Sequence, residues 1–468
     1  MHSARLLAGL LSVRLFYVKQ ERTILIMRKL IYKDFIKYVS LNVVGTIGIS
    51  CYILIDTFFV SKVLGTTGIA ALNFSISIYS LILGLGLMLG IGAGTRYSIL
   101  NAQGNKDSAN VVFTASIKLG IIFGLILMLI GIFGSKELAK ILGADSVTFP
   151  FTNTYMKTIL CFAPFIIINN IMVSFVRNDG NPRLSMFAML GASLSNIILD
   201  YIFMFPLKMG MFGAALATSL APIFSLLILS YHFISKQNHF KFIKTKMHLQ
   251  SIFYISSLGL SSLINEVASA VVLITFNLII LKLEGNTGVA SYGIVANLAL
   301  IVIGIFNGIA QGIQPLISKS HGMKNVVSQR LTLKLAIVSS LSMAGITYIL
   351  SFFNATSLIG IFNSEQNQHV YRLTESGIKI YFIGFFFAGI NILLSMYFSC
   401  INKPKRAFVV SISRGLFLII PMVFILSLIW KMNGVWLSFV MTELIVTLGI
   451  LLIMLCKGLL IDNNPNLV

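Results

Sequence analysis

Two pairs of side chains in this sequence set a carboxylate one helical turn from a second oxygen donor, each inside an apolar run. Asn196 and Asp200 lie in NIILDYIFMF (196–205), and Tyr52 and Asp56 lie in CYILIDTFFV (51–60). A spacing of four puts both members of a pair on one face of a helix. A carboxylate in hydrocarbon costs at least about 2.5–3.5 kcal/mol, so such a residue needs a partner or a task. Carboxylate, amide and hydroxyl oxygens together suit a small hard cation. The same groups would instead hold a proton, because burial and a neighbouring like charge both favour the neutral acid. The residues therefore suggest a reversible cation site and leave proton or sodium open. The bland alternative is a hydrogen bond that merely ties helices together. Two other acids fall deep in apolar runs, Glu266 in GLSSLINEVASA and Glu443. Each either lines a polar path or snorkels to a water-filled cavity.

The elements that must carry these groups are apolar and long. The chain has 468 residues, 57% of them hydrophobic and 10% charged, with a mean hydropathy of +0.93, which is the composition of an integral membrane protein. Runs of about 20 residues or more, enough to cross hydrocarbon as helix, fall near 38–61, 69–94, 110–134, 151–176, 184–205, 210–234, 251–281, 288–313, 332–353, 376–400, 407–430 and 434–456. None alternates with period two, so the spans are helices rather than barrel strands. The spacing predicts an all-α protein with twelve transmembrane helices. In TM2, GLGLMLGIGAG sets Gly86, Gly90 and Gly94 four apart, a face for close helix packing; it lacks the lysine and preceding strand of a phosphate loop.

The charge is topological. Of 35 Lys and Arg against 14 Asp and Glu, 26 basic residues fall before the first span, in alternate loops and after the last span, and nine fall on the other side. That asymmetry places both termini in the cytoplasm and assigns the net charge of +21 to lipid headgroups rather than to nucleic acid. Arg177 and Arg183, which flank the turn RNDGNP (177–182), serve this topology. Cys51, Cys161, Cys400 and Cys456 lie in or at the ends of spans without metal-ligand spacing and read as packing residues. No HExxH, GxSxG or GxxxxGK[ST] motif occurs, so no enzyme chemistry and no cofactor are expected. Residues 1–26 carry Arg14 inside their apolar stretch, so they read as an upstream extension or an interfacial segment rather than a cleaved signal, with Met27 the better start.

The two halves repeat at an offset near 220: GTTGIAAL (65–72) returns as GNTGVASY (285–292), and GNPRLSM (180–186) as NKPKRAF (402–408). Six spans per copy give both copies the same orientation, so two parallel six-helix lobes should enclose a central cavity. The expected organisation is an N-terminal extension at 1–32, an N-lobe at 33–234 (TM1–TM6), a basic cytoplasmic linker at 235–250, a C-lobe at 251–458 (TM7–TM12) and a tail at 459–468. Two lobes complete the cavity, so a monomer suffices. The position 221 after Asp200 is Pro421, so the second lobe does not repeat the acid of the first.

CYILIDTFFVSKVLGTTGIAALN, FVRNDGNPRLSM, SNIILDYIF and MGMFGAALAT together resemble the multidrug and toxic compound extrusion (MATE) family of secondary transporters, nearest its DinF-like branch within the MOP flippase superfamily, over residues 33–458. The resemblance implies export of amphipathic, often cationic, organic compounds across the bacterial cytoplasmic membrane in exchange for H⁺ or Na⁺, with the lipid bilayer as the other partner. It implies a cation site in the first lobe formed by Asp56, Asn196, Asp200 and Thr218, which would hold Na⁺ if sodium is the coupling ion, with Tyr52 one turn before the TM1 aspartate. Glu266 matches an acid on the substrate path of other branches, whereas FFFAGINILLSMYF (385–398) lacks their TM10 aspartate, so no second-lobe cation site is expected. The rival within the superfamily is a lipid-linked oligosaccharide flippase, whose cavity would be strongly basic to receive pyrophosphate.

Overall fold

The computed structural model describes residues 2–244, 249–362 and 367–456, with side chains for 27–244, 249–360 and 367–454. The expected tail (459–468), linker residues 245–248 and the Cys456 side chain lie outside the described residues. The described chain is helical apart from short connections and the non-helical stretch 237–244, as hydrocarbon requires when each spanning segment must satisfy its own backbone. The helices are α1 (His2–Ala102), α2 (Lys106–Ile141), α3 (Phe149–Cys161), α4 (Ala163–Asn178), α5 (Pro182–Met204), α6 (Gly210–Ile234), α7 (Leu249–Gly322), α8 (Val326–Phe353), α9 (Ala355–Phe362), α10 (Gln368–Tyr381), α11 (Gly384–Cys400), α12 (Pro404–Ile412) and α13 (Ile419–Cys456), with a π-turn at Ser413–Phe417.

Among the described residues seven helical stretches are long and apolar enough to span a membrane, and two bent pairs, α3 with α4 and α10 with α11, pass the same test together. Three of the seven contain an internal reversal of the backbone, at Gly65 in α1, Gly285 in α7 and Trp430–Lys431 in α13. Divided there, the described chain yields the twelve expected spans. Where sequence suggested short loops, the chain turns on single residues: Gly65 has φ 61 and ψ −150, and Gly285 has φ 62 and ψ −153. Only glycine adopts that conformation without strain, so one residue replaces a loop.

The repeat is visible in the backbone. Gly65 and Gly285 are 220 apart. Asn105 and Asn325 are also 220 apart, and each caps its helix by accepting from the N–H three residues on. The two bent spans break by 52° and 48° at corresponding places. The third reversal corresponds to the turn before α6, where Gly210 has φ 57; its counterpart is a lysine, Lys431, at φ 49.

The lobes meet along glycine-lined seams at the end of the molecule that carries the linker. A Cβ on Gly259 of α7 would lie 1.9 Å from the Met88 carbonyl oxygen of α1, and one on Gly92 would lie 2.1 Å from that of Ile255. Along the other seam, Gly304, Gly308 and Gly312 of α7 lie against Ser50, Val43 and Val39 of α1. At the far end Gly65, Gly285 and Gly293 have no neighbour that a Cβ would meet. The seam contacts hold the two lobes together along the linker-side parts of α1 and α7. Gly86, Gly90 and Gly94 form the close-packing face that their spacing implied, against Asn170, Ile171 and Ser174 of α4. Among the cysteines Cys400 is buried and Cys161 half-buried, but Cys51 is exposed, contrary to the packing role expected of it.

Candidate functional site

The N-lobe brings the two polar pairs together. Asp56 comes from the first half of α1, Asn196 and Asp200 from one face of α5, and Thr218 from α6; all four are buried, Asn196 and Asp200 completely. The Asp56 and Asp200 carboxyls lie within hydrogen-bonding reach of each other, so a single shared proton would join them. The groups around the Asn196 amide select the orientation in which its nitrogen donates to Asp200 Oδ2 at 3.1 Å and its oxygen accepts from the Thr218 backbone N–H at 3.2 Å. This leaves Oδ1 of Asp56 and Oδ1 of Asp200 buried with no donor. Two acceptor oxygens without partners are expensive in a dry interior, and a cation or proton is what would satisfy them. No cluster of three or more His, Cys, Asp or Glu suited to a metal occurs among the described residues. A cation here would therefore rest on two carboxylates with the nearby Thr218 hydroxyl, hard oxygen donors that fit Na⁺ and offer nothing to a softer metal.

Tyr52 is half-buried, and its hydroxyl pairs with that of Tyr79 at 3.0 Å, joining the two halves of α1 across the Gly65 reversal. Sequence reasoning missed two hydroxyls beside the pair. Tyr79 lies close to both Asp56 and Glu266, and Tyr155 of α3 reaches toward Thr218, Asp56 and Asp200. A tyrosine within an apolar run was the available signal, but with fifteen tyrosines in the chain it does not single these out.

Glu266 stands apart from the carboxylate pair, on α7. With Ser261, Ser262, Asn265, Asn307, Gln311 and Ser395 it forms the polar part of a small cavity between the lobes, whose apolar wall includes Leu87, Ile91 and Met396. No Lys or Arg lines this cavity. Glu443 resolves as a structural acid: it is buried, and its carboxylate accepts two bonds from Arg414 Nε at 3.1 and 3.2 Å, one from Arg414 Nη2 at 2.6 Å and one from Asn391 Nδ2 at 2.7 Å.

The arginine expected to serve topology is buried. Arg177, at the end of α4, is 1% exposed, and its Nη1 donates to Asn42 Oδ1 of α1 at 2.8 Å and to Gln311 Oε1 of α7 at 2.9 Å. Next to it Asn178 Nδ2 donates to Gln314 Oε1 at 2.8 Å, and Gln314 Nε2 donates to Thr95 Oγ1 at 3.1 Å. This amide network crosses from lobe to lobe. The last turn of α4 points into the seam, which a count of basic residues per loop cannot reveal. Asp179 is equally buried; it accepts from Tyr97 Oη at 2.6 Å and the His239 backbone N–H at 2.8 Å, and pairs with His232 Nε2 at 2.9 Å, fastening the start of the linker to the N-lobe.

The chain resembles known transport proteins in sequence and fold. The multidrug export protein MepA of Staphylococcus saprophyticus is 27% identical over 448 residues, covering 93% of this chain and 96% of that protein. A solved outward-facing multidrug resistance MATE family transporter of the MOP superfamily matches with a TM-score of 0.84 at 20% identity, over 89% of this chain and 93% of that one. A MOP superfamily transporter from Pyrococcus furiosus matches with a TM-score of 0.84 at 21% identity, over 92% of this chain and 97% of that one. At these identities the solved structures establish the fold. The model of the MatE family spans both halves of the repeat, at residues 43–202 and 262–425, and the chain belongs to that family.

Proposed function

We propose that this protein is a multidrug exporter working as a secondary antiporter, which expels amphipathic, often cationic, organic compounds in exchange for H⁺ or Na⁺. The observation that carries the reading is the buried pair Asp56 and Asp200, whose Oδ1 atoms lack any donor. The 27% identity to a protein described as a multidrug exporter supports the substrate class. Asn196 and Thr218 complete the cation site, Tyr52 positions TM1 through its bond to Tyr79, and Glu266 receives the positive end of the substrate. The linker end lies in the cytoplasm of a bacterial cell, both termini with it, and residues 33–234 and 251–458 are the lobes that rock.

Cation binding exchanges two orphaned carboxylate oxygens for coordinated or protonated ones. It thereby favours whichever lobe arrangement holds α1 against α5. A ligand shifts such an equilibrium only through its differential affinity for the two states, so the cation acts by binding one lobe arrangement better than the other. The flippase reading would need a basic cavity for pyrophosphate, and the polar lining here centres on Glu266.

The test is transport of a fluorescent cationic dye by proteoliposomes under an imposed proton or sodium gradient. One of the two gradients should drive transport in the wild type, and neither should drive it in Asp56→Asn or Asp200→Asn. Full gradient-driven transport in both variants would refute the assignment of the site.

A further inference from the structure

Corresponding helices carry a buried polar cluster in each lobe, joined in the N-lobe by Asp56 of α1 and in the C-lobe by Asn391 of α11. In the N-lobe, α5 and α6 present Asn196, Asp200 and Thr218. Their counterparts at an offset of 221 are Phe417, Pro421 and Phe439, all apolar. The C-lobe cluster lies between the corresponding helices but one turn nearer the linker end, with Arg414 on the π-turn and Glu443 on the second half of α13. The N-lobe residues equivalent to that pair are Ser193 and Pro222. Each lobe therefore has a buried carboxylate cluster on these corresponding helices, two acids with α1 in the N-lobe and one acid in the C-lobe. In the N-lobe the site has unsatisfied oxygens; in the C-lobe it is filled.

The filling is complete. Glu443 Oε1 accepts from Arg414 Nη2 at 2.6 Å and from Nε at 3.1 Å, while Oε2 accepts from Nε at 3.2 Å and from Asn391 Nδ2 at 2.7 Å. Thr447 Oγ1 donates to Asn391 Oδ1 at 3.0 Å, fixing the amide. The side chains are 12% and 3% exposed for Arg414 and Glu443. A π-turn inserts one residue into a helix and swings the following side chain round, a device that recurs at functional positions; here the Leu418 N–H reaches back to the Ser413 carbonyl at 3.0 Å around the residue in question.

We propose that the Arg414–Glu443 cluster is the C-lobe's counterpart of the N-lobe cation site with its cation built in. The tethered guanidinium takes up the contacts of the Glu443 carboxylate that a free ion would otherwise make, so the C-lobe neither takes up nor releases an ion during transport. This rests on the antiport reading above and deepens it: one lobe exchanges its cation and the other is permanently loaded. It follows that Arg414 alone keeps Glu443 from being an ion site. A buried carboxylate deprived of its only cation must recruit a proton or a metal ion to stay buried, whereas removing both charges leaves nothing to compensate.

The experiment measures thermal stability of purified protein at pH 5.5 and pH 8, with sodium or with choline, in an Asp56→Asn, Asp200→Asn background that silences the N-lobe. In that background Arg414→Gln should lose stability at pH 8 in choline and regain several degrees of melting temperature on acidification or on adding sodium. Arg414→Gln combined with Glu443→Gln should be more stable than Arg414→Gln at pH 8 and show neither response. A second arm places the double substitution in an otherwise wild-type chain, where dye transport should keep its gradient dependence within about threefold, because the N-lobe site is intact. The proposal is overturned by an Arg414→Gln protein indifferent to proton and sodium, by a double variant no more stable than the single one, or by loss of gradient-driven transport in a folded double variant. The stability arm does not depend on transport, so it can fail while the antiport reading stands. If Arg414→Gln does not fold at all, folding of the double variant supports the proposal and its failure to fold overturns it.

Discussion

Asp56 and Asp200 stand carboxyl to carboxyl in the N-lobe, with Asn196 donating to only one of their four oxygens and no basic side chain between them. The contact joins α1 to α5, so on the proposed function a cation bound there would change how firmly those helices are held. Tyr79, whose hydroxyl pairs with that of Tyr52 at 3.0 Å, interacts electrostatically with both Asp56 and Glu266.

Removing the Tyr155 hydroxyl should weaken the cation site without destroying it. Tyr155→Phe keeps the buried ring and loses a group that reaches Thr218 and faces both aspartates. A hydrogen bond of about 1 kcal/mol corresponds to roughly fivefold in affinity. The apparent KM for the coupling ion should rise by about that factor, with maximal transport rate retained. An unchanged ion dependence would remove Tyr155 from the site.

The glycine seams predict a contrast between substitutions of equal size. Gly259→Ala would put a Cβ 1.9 Å from the Met88 carbonyl oxygen and Gly92→Ala one 2.1 Å from that of Ile255, contacts that only a shift of backbone can relieve. Gly293→Ala meets open space. With spin labels at Gln103 and Met323, exposed in corresponding turns of the two lobes, the first two variants should lengthen the distance at the linker end and lose most transport. Gly293→Ala should behave as wild type on both counts.

Arg177 should matter as a fastening between lobes. Arg177→Ala leaves the Asn42 and Gln311 oxygens without the donor that bridges them. Bonds from a charged donor contribute about 1.5–3 kcal/mol each, against the cost of burying the charge. The expected outcome is a shift of the same spin-label pair toward longer distances, with partial restoration by Arg177→Lys, which keeps a cationic donor but loses the planar fork. Identical distance distributions in wild type and Arg177→Ala would contradict the role.

The one-residue reversals predict opposite signs. Gly65→Ala and Gly285→Ala force a Cβ into φ near 61–62 with ψ near −150 and should each cost about 1–3 kcal/mol. Lys431 already bears that strain at φ 49, ψ −129, so Lys431→Gly should hold or raise the thermal midpoint.

Much of this was legible in the sequence for physical reasons. Apolar length fixes spans because hydrocarbon allows no unsatisfied backbone, and the repeat at 220 residues anticipated the paired reversals at Gly65 and Gly285. Asn196 and Asp200 were readable because a spacing of four sets a helix face, and Asp56 because a carboxylate is conspicuous in an apolar run. What remained hidden is what depends on the approach of segments far apart in sequence. Arg177 looks like any loop arginine until α4 is seen to end in the seam. Glu443 is an intramembrane acid like Asp200, and only the π-turn that brings Arg414 against it separates a satisfied pair from an open site. Tyr79 and Tyr155 carry no local signal, since tyrosine is common at membrane boundaries and in cores alike.

The most direct measurement of the central claim is cation movement driven by substrate. Proteoliposomes carrying the protein would be given a steep gradient of a cationic dye with no imposed ion gradient, and proton flux followed with a trapped pH indicator, or sodium flux with the radiolabelled ion. The wild type should move one of these cations against the direction of dye flow, and Asp200→Asn should move neither. Dye flux with no accompanying cation in the wild type, or undiminished cation flux in Asp200→Asn, would contradict the account.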